Sequence, residues 1–268
     1  MSAPTLAPRP KRTPWEIQRA VLFALLQREM KARFEGRWLG AFWVLLEPIA
    51  HLSYMMVLYG VIRGRVMPGV PFVMFLLTGI VPFIMFRSVS LRVMGSVDGS
   101  RGLFGYRQVK PIDPIIARAT LDVLIYSVVF VVFLAVFGWF GLKWIPDHPL
   151  EVIASIAVLI LFGFGLGLLF VVLTDDFPKV RVFIRLAYLP LYLISGVIFP
   201  TTSLPQEARD WLLWNPLLHV MEDIRGSFFN EYQPIPEASL AYPSAVALIT
   251  LATAFALYRL RHKRLLAT

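Results

Sequence analysis

The chain has 268 residues, of which 57% are hydrophobic and 16% charged, and a net charge of +9. Water-soluble domains carry about 25% charged residues, so a soluble globule of this length lacks the polar surface to cover its core. Cysteine is absent, which excludes disulfides, thiolate metal sites and cysteine nucleophiles, and the basic residues gather at the ends of apolar runs rather than on a face suited to nucleic acid.

Residues 1–12 are proline-rich and predict a disordered tail. Thr13-Pro14-Trp15-Glu16 follows, with threonine at N-cap, proline at N1 and glutamate at N3, a helix-start signature. The helix over 13–36 places Ile17, Val21, Leu22, Leu25, Leu26 and Met30 on one side, with Arg19, Arg28, Lys31 and Arg33 elsewhere. Two readings fit: an amphipathic helix lying in the cytoplasmic interface, or a generic basic anchor. Its apolar stretch Val21–Leu26 is too short and too far along the chain for a signal peptide.

A bilayer core takes about 20 apolar residues per helix. Six segments qualify within a permease-sized region over 37–262: about 39–62, 71–94, 114–138, 150–173, 182–199 and 241–258. Twenty-one of the 26 lysines and arginines fall on one side of this arrangement and five on the other. The basic side is cytoplasmic by the positive-inside rule, which places both termini, including a tail at 263–268, inside. The outer connection between the fifth and sixth segments holds Trp211, Leu212, Leu213, Trp214, Leu217 and Leu218 and is broken by Pro205 and Pro216. It is too apolar for a solvated loop and predicts short re-entrant helices over 203–232. The expected fold class is therefore an all-α integral membrane protein.

No phosphate-binding G-x-x-x-x-G-K-[ST] loop occurs. Gly163, Gly165 and Gly167 lie inside an apolar helix, where small residues let helices approach closely. The four histidines, His51, His148, His219 and His262, have no metal-ligand spacing, and no nucleophile has an evident base, so neither a catalytic nor a metal residue is assigned.

Several polar groups fall within the spans. Glu47 and His51 share a face at i and i+4. Asp122 and Tyr126 lie in the third span, and Arg87 and Arg92 late in the second. Such groups turn to a bundle interior or a wet cavity, either pairing for structure or lining a polar path. Tyr188, Tyr192, Trp211 and Trp214 offer faces for sugar rings, although tryptophan also marks the membrane interface. The inner connection Gly95–Asp113 carries an apolar centre, Leu103-Phe104-Gly105-Tyr106, beside Arg107. It reads as a short helix docking into a partner or as a flexible basic loop.

Arg37-Trp38-Leu39-Gly40-Ala41-Phe42-Trp43-Val44-Leu45-Leu46-Glu47-Pro48 resembles the opening of the first span in type-2 ABC exporter permeases that export polysaccharides from Gram-negative cells, the capsule group above all. Ser195-Gly196-Val197-Ile198-Phe199-Pro200, Leu204-Pro205 and Asn215-Pro216-Leu217-Leu218-His219, with Glu222 and Arg225, extend the likeness. The resemblance implies a homodimer in the inner membrane, with two copies of a cytoplasmic ATPase subunit that carry the ATP and magnesium, so this chain holds no cofactor of its own. A periplasmic co-polymerase and an outer-membrane channel would complete the conduit. The cargo would be a lipid-anchored acidic polysaccharide, loaded past Arg28, Arg33 and Arg37. The channel would be lined by Glu47, His51, Arg87, Tyr188 and Tyr192, with an exit gate around Trp211, Trp214 and Arg225. Leu103, Phe104, Tyr106 and Arg107 would couple to the ATPase. Rival readings are a related permease for O-antigen, a teichoic-acid-like polymer, a drug or a lipid; a membrane-embedded lipid enzyme; and a scaffold.

Overall fold

A computed structural model of the protein describes residues 13–34, 40–63 and 70–267. The expected tail at 1–12 and Arg37 lie outside them. The described residues form helices α1 (Pro14–Phe34), α2 (Gly40–Arg63), α3 (Phe72–Met94), α4 (Ile112–Trp139), α5 (Pro149–Asp176), α6 (Val180–Ile194), α7 (Gln206–Leu212), α8 (Pro216–Phe228) and α9 (Ala241–Ala267), with no strand among them.

α1 starts where its sequence says it should. The Thr13 N–H donates to Glu16 Oε2 at 2.8 Å and the Glu16 N–H to Thr13 Oγ1 at 3.3 Å, a reciprocal capping box. The helix packs on α4 and buries Leu25 and Glu29. Its apolar residues are divided between two faces, for Trp15, Phe23 and Met30 point outward.

α3 is apolar on every side up to Phe86 and is buried from Met74 through Phe86. A helix without a polar face has no stable place at a water-facing surface, and here α2, α4, α5, α6 and α8 all pack on it, while α9 packs on α5. The glycine run of α5 makes this possible. A Cβ at Gly167 would lie 2.7 Å from Val93 Cβ and 2.9 Å from the Ser90 carbonyl, and one at Gly163 3.1 Å from the Phe86 ring. Gly163 and Gly167, one turn apart, therefore face α3. Gly165 faces the other way, where a Cβ would sit 3.2 Å from the Leu251 nitrogen of α9. One stripe of three glycines lets a single helix approach neighbours on two sides.

Four helices are long and apolar enough to cross a bilayer among the described residues: α3, α4, α5 and the Ala241–His262 part of α9. The fifth expected span, 182–199, is shorter as a helix. α6 has 15 residues, about 22 Å at roughly 1.5 Å each, against about 30 Å of hydrocarbon. It ends at Ser195–Gly196, where Gly196 takes φ +65°, a left-handed turn that glycine adopts without a Cβ penalty. The expected tail from 263 is instead helical through Ala267, because Arg261 and Arg264 reach Asp176 at 2.6 and 2.8 Å and hold the end of α9 to the end of α5.

The connections sort to two ends. At one, the α3–α4 link joins α6 through Asp98 and Arg181, and α1 through the Arg28 bonds to Gly99 O and Ser100 Oγ at 3.1 and 3.0 Å. At the other, the α4–α5 link pairs with the end of α8, the His148 N–H donating to the Ser227 carbonyl at 2.9 Å. There Lys143, bonded to Asp147, and the Asn230 N–H hold the Asp147 carboxyl below the usual aspartate range. The outer segment folds as two short helices: α7, with no buried residue, and α8, buried along most of its length.

The glycine packing gives a direct test. Gly167→Val forces side-chain volume against the α3 backbone, and overpacking of this kind costs about 1–3 kcal/mol. Thermal unfolding of the detergent-solubilised protein should shift down by several degrees. Gly102→Ala, where a Cβ meets nothing within 4 Å, should leave the melting point unchanged.

Candidate functional site

Leu52 and Met55 of α2 are buried where the helix packs on α3. That anchoring leaves Glu47 exposed and His51 half-buried, one turn apart on its flank. His51 Nε2 and the Tyr192 hydroxyl of α6 lie 2.7 Å apart, their rings edge-on at 5.3 Å. Tyr192 also packs edge-on against Phe83 of α3 at 5.1 Å. One turn earlier in α6, the Tyr188 hydroxyl donates to Ser90 Oγ, which donates to the Arg87 carbonyl at 3.1 Å. From the other side the Tyr126 hydroxyl of α4 donates to Glu47 Oε2 at 3.4 Å.

Three helices, α2, α4 and α6, thus bring Glu47, His51, Tyr126, Tyr188 and Tyr192 into one polar seam. The Arg87 guanidinium is exposed and has no ion pair or hydrogen bond among the described residues. A carboxylate, an imidazole, phenol hydroxyls and a free guanidinium can exchange hydrogen bonds with a hydroxyl-rich chain that bears carboxylates. They include no activated nucleophile, and no metal-binding group of His, Asp and Glu occurs among the described residues.

The basic residues expected to face cargo have other partners. Arg33 pairs with Asp122, its side chain only 9% exposed, and Arg92 joins Asp122 at 3.2 Å. Asp122 is fully buried, so this triad ties α1, α3 and α4 together around one carboxylate. Arg28 pairs with Glu29 at 3.1 Å, and Glu29 in turn with Arg118 at 2.9 Å, whose Nη1 donates to the Gly95 carbonyl at 2.7 Å. Arg28 thus closes α1 onto the α3–α4 link and Arg33 closes it onto α4, so both guanidiniums are engaged within the chain. Arg37 lies outside the described residues.

Arg225 is likewise engaged within the chain. It is fully buried, its Nη1 and Nη2 donating to the Gly196 and Val197 carbonyls at 2.7 and 2.8 Å, with its carbon 3.6 Å above the Phe75 ring. Gly79 of α3 makes room, since a Cβ there would meet Arg225 Nη2 at 2.6 Å and the Val197 carbonyl at 2.7 Å. Glu222, one turn before and equally buried, accepts from Thr201 Oγ1, from the Tyr232 hydroxyl at 2.9 Å and from the Ile235 N–H at 3.3 Å. Asn215 caps α8 by accepting from the Leu217 N–H at 3.1 Å and donates to Ser195 Oγ at 3.0 Å. His219 Nδ1 accepts from the Ser239 N–H at 3.1 Å, so its Nε2 carries the proton and donates to the Leu213 carbonyl at 2.8 Å. The motif therefore clamps the turn after α6. Trp211 and Trp214 are 80% and 77% exposed beside it.

In the inner connection, Asp98–Leu103 is a 3-10 turn rather than an α-helix. Phe104 packs against the core, Leu103 is half-buried, and Tyr106 and Arg107 are exposed. Sequence reasoning named Asp122 and Tyr126 without placing them in the site. The signal was there for Tyr126, one turn from Asp122 on α4, but its partner Glu47 is 79 residues away and no local spacing reports such a contact.

Truncating one partner of a buried charged pair costs about 3–5 kcal/mol. Arg225→Ala, which strands Glu222 and two carbonyls, should lose folded protein from membranes. Arg225→Lys should recover it only in part, because an ammonium cannot bridge successive carbonyls as the planar fork does. Immunoblots of membrane fractions read both outcomes.

Comparison with known proteins agrees with this geometry. The ABC-2 type transporter family matches residues 20–229. The polysialic acid transport protein KpsM of Escherichia coli is 39% identical over 258 residues, covering 96% of this chain and 99% of that one. The capsule polysaccharide export inner-membrane protein BexB of Haemophilus influenzae is 30% identical over 220 residues, 80% of this chain and 81% of its own. CtrC of Neisseria meningitidis serogroup A, of the same description, is 29% identical over 221 residues, again 80% and 81%. With most of its length matched and its helices so arranged, this chain belongs to the ABC-2 type transporter family.

Proposed function

We propose that the chain is the membrane-spanning subunit of an ATP-driven exporter that moves lipid-anchored acidic capsular polysaccharide from the cytoplasm across the inner membrane. The observation that carries this reading is the near end-to-end likeness to a polysialic acid transport protein. The polar seam of Glu47, His51, Arg87, Tyr126, Tyr188 and Tyr192 supports it with chemistry suited to a charged glycan.

In this reading α2, α3, α4, α5, α6 and α9 are six spans, with both termini on the cytoplasmic side, and 37–262 is the permease domain. α6 reaches across because the turn Ser195–Pro200 extends it, and α7 and α8 re-enter the outer leaflet. α1 lies in the cytoplasmic interface with Trp15, Phe23 and Met30 toward lipid. A second copy completes the channel, with α2 and α6 of each protomer facing the axis.

ATP and magnesium belong to two copies of a separate ATPase subunit, which docks against Tyr106 and Arg107, so the chain itself catalyses no covalent change. A periplasmic co-polymerase and an outer-membrane channel carry the polymer onward. Trp211 and Trp214 stand at the exit, on α7 and the short link to α8, with the Arg225 clamp behind them as the fixed frame.

Deleting the gene should leave capsular polymer trapped in the cytoplasm, visible by fractionation and immuno-electron microscopy, and the intact gene should restore surface capsule. Normal surface polysaccharide after deletion refutes the proposal. Within the seam, Arg87→Gln and Tyr192→Phe should lower surface capsule while membrane levels of the protein hold. For Tyr192→Phe the loss includes the hydroxyl's bond to His51, about 1 kcal/mol, so the drop should be a few-fold rather than complete.

A further inference from the structure

α6 is held at its two ends by different elements. At the outer end Asn215 Nδ2 donates to the Ile194 carbonyl at 3.2 Å and to Ser195 Oγ at 3.0 Å, and Arg225 holds the Gly196 and Val197 carbonyls. Asn215 caps α8 and Arg225 stands within it, and α8 is buried along most of its length. This end is therefore fixed to the dense part of the bundle. At the inner end the grip comes from a connection instead. Arg181, in the first turn of α6, pairs with Asp98 of the α3–α4 link. Among the described residues no other ion pair joins α6 to the bundle. The neighbouring carboxylates of α5 are taken up by α9, Asp175 with Arg264 at 3.5 Å and Asp176 with Arg261 at 2.6 Å.

Between the two grips lies Pro190, inside α6. It has no N–H to donate to the Leu186 carbonyl, and a helix bends most easily where such a bond is missing. The segment before it meets the bundle along Ile184 and Tyr188. The connection that grips this segment is stiff. Asp98 opens the turn Asp98–Leu103, and its Oδ1 accepts from Arg101 Nη2 at 2.9 Å while Oδ2 meets Arg181. Hydrogen-bonded turns continue from there past the exposed Tyr106 and Arg107. The Phe104 N–H donates to the Arg101 carbonyl at 3.1 Å, the Tyr106 N–H to the Leu103 carbonyl at 3.0 Å and the Val109 N–H to the Tyr106 carbonyl at 2.9 Å. Displacement at Tyr106 is thus passed on to Asp98 through a bonded chain rather than absorbed by slack backbone.

We propose that the Asp98–Arg181 pair is the tie through which the inner connection moves the inner part of α6 about Pro190. Tyr188, on the moving side of the pivot, shifts in the polar seam, while Tyr192 stays with the fixed outer end. The tie deepens the exporter reading and rests on it, for the force comes from an ATPase docked against Tyr106 and Arg107. The Arg181 and Asp98 side chains are 31% and 32% exposed, and exposed pairs contribute little to stability. Removing the pair should therefore leave the fold in place and show in coupling.

The test uses the full chain, complexed with its ATPase subunit for ATP hydrolysis and expressed in cells for surface capsule. Asp98→Asn and Arg181→Gln should each keep membrane levels and ATP hydrolysis but lower surface capsule about fivefold, the low end of coupling between separate sites. Arg181→Lys, which keeps the charge, should recover most of the export. Pro190→Ala, which supplies the missing N–H and leaves the pair intact, should lower export in the same way. Parent-level export by the neutral variants or by Pro190→Ala overturns the tie. So does ATP hydrolysis that falls in step with export, which would place the pair in the dock, and so does loss of both neutral variants from membranes, which would make it a structural brace. Failure of the exporter reading is distinct, because it shows in the deletion strain as normal surface capsule whatever the variants do.

Discussion

A charge shut away from water must find its partners inside the protein, and two such charges hold this bundle together at its opposite ends. Asp122 and Arg225 are both fully buried. Desolvating either is costly unless oppositely charged or strongly dipolar groups surround it. Asp122 collects Arg33 from α1 and Arg92 from α3. Arg225 collects two carbonyls of the turn after α6 and the face of Phe75. Each charge fixes elements far apart in sequence, one at the end of the bundle that carries α1 and the other at the end that carries α8.

Between those ends the constraint is packing. α3 can be enclosed only if its neighbours come close enough to leave no voids, and the glycines of α5 and Gly79 of α3 set those distances. The result is asymmetric. α3, α5 and α8 form a dense frame, whereas α6 touches that frame along a line, burying Ile184, Tyr188 and Tyr192 at every fourth residue. A helix held by one narrow face can shift against its support at lower cost than one buried all round. The polar seam lies on this loosely held side, where cargo-dependent movement of α6 against α2 would not disturb the core.

Much of the fold was legible in the sequence because hydrophobic length is a direct consequence of bilayer thickness. The apolar runs at about 71–94, 114–138 and 150–173 became α3, α4 and α5, and the capping box at Thr13 and Glu16 formed as written. The end of α6 was misplaced because Ser195–Phe199 is apolar enough to continue a span, and only the conformation of Gly196 breaks it. In the candidate site, Glu47, His51, Tyr188 and Tyr192 do converge, since a polar residue in an apolar helix has few places to go. The partners of Arg28, Arg33 and Arg225 were not legible, for one shared reason. A sequence shows where a cation lies along the chain but not which carboxylate or carbonyl the fold sets against it, and Asp122, Ser100 and the Gly99, Gly196 and Val197 carbonyls lie 28 to 89 residues from the arginines they meet.

The charge asymmetry of the chain takes on a different meaning once those partners are known. Twenty-one basic residues fall on the side that carries α1, which suggests a broad positive funnel for an anionic polymer. Yet Arg28, Arg33, Arg92, Arg101, Arg118, Arg181, Arg261 and Arg264 are each set against a carboxylate. A paired guanidinium projects little field beyond its partner at physiological salt. The attraction that remains comes from cations without such a partner among the described residues, which include Arg19 and Lys31 on α1, Arg107 and Lys110 in the inner connection, and Arg87 within the seam. Of these, Arg87 lies within the polar seam, so the charge offered to cargo there is local rather than spread over the whole face.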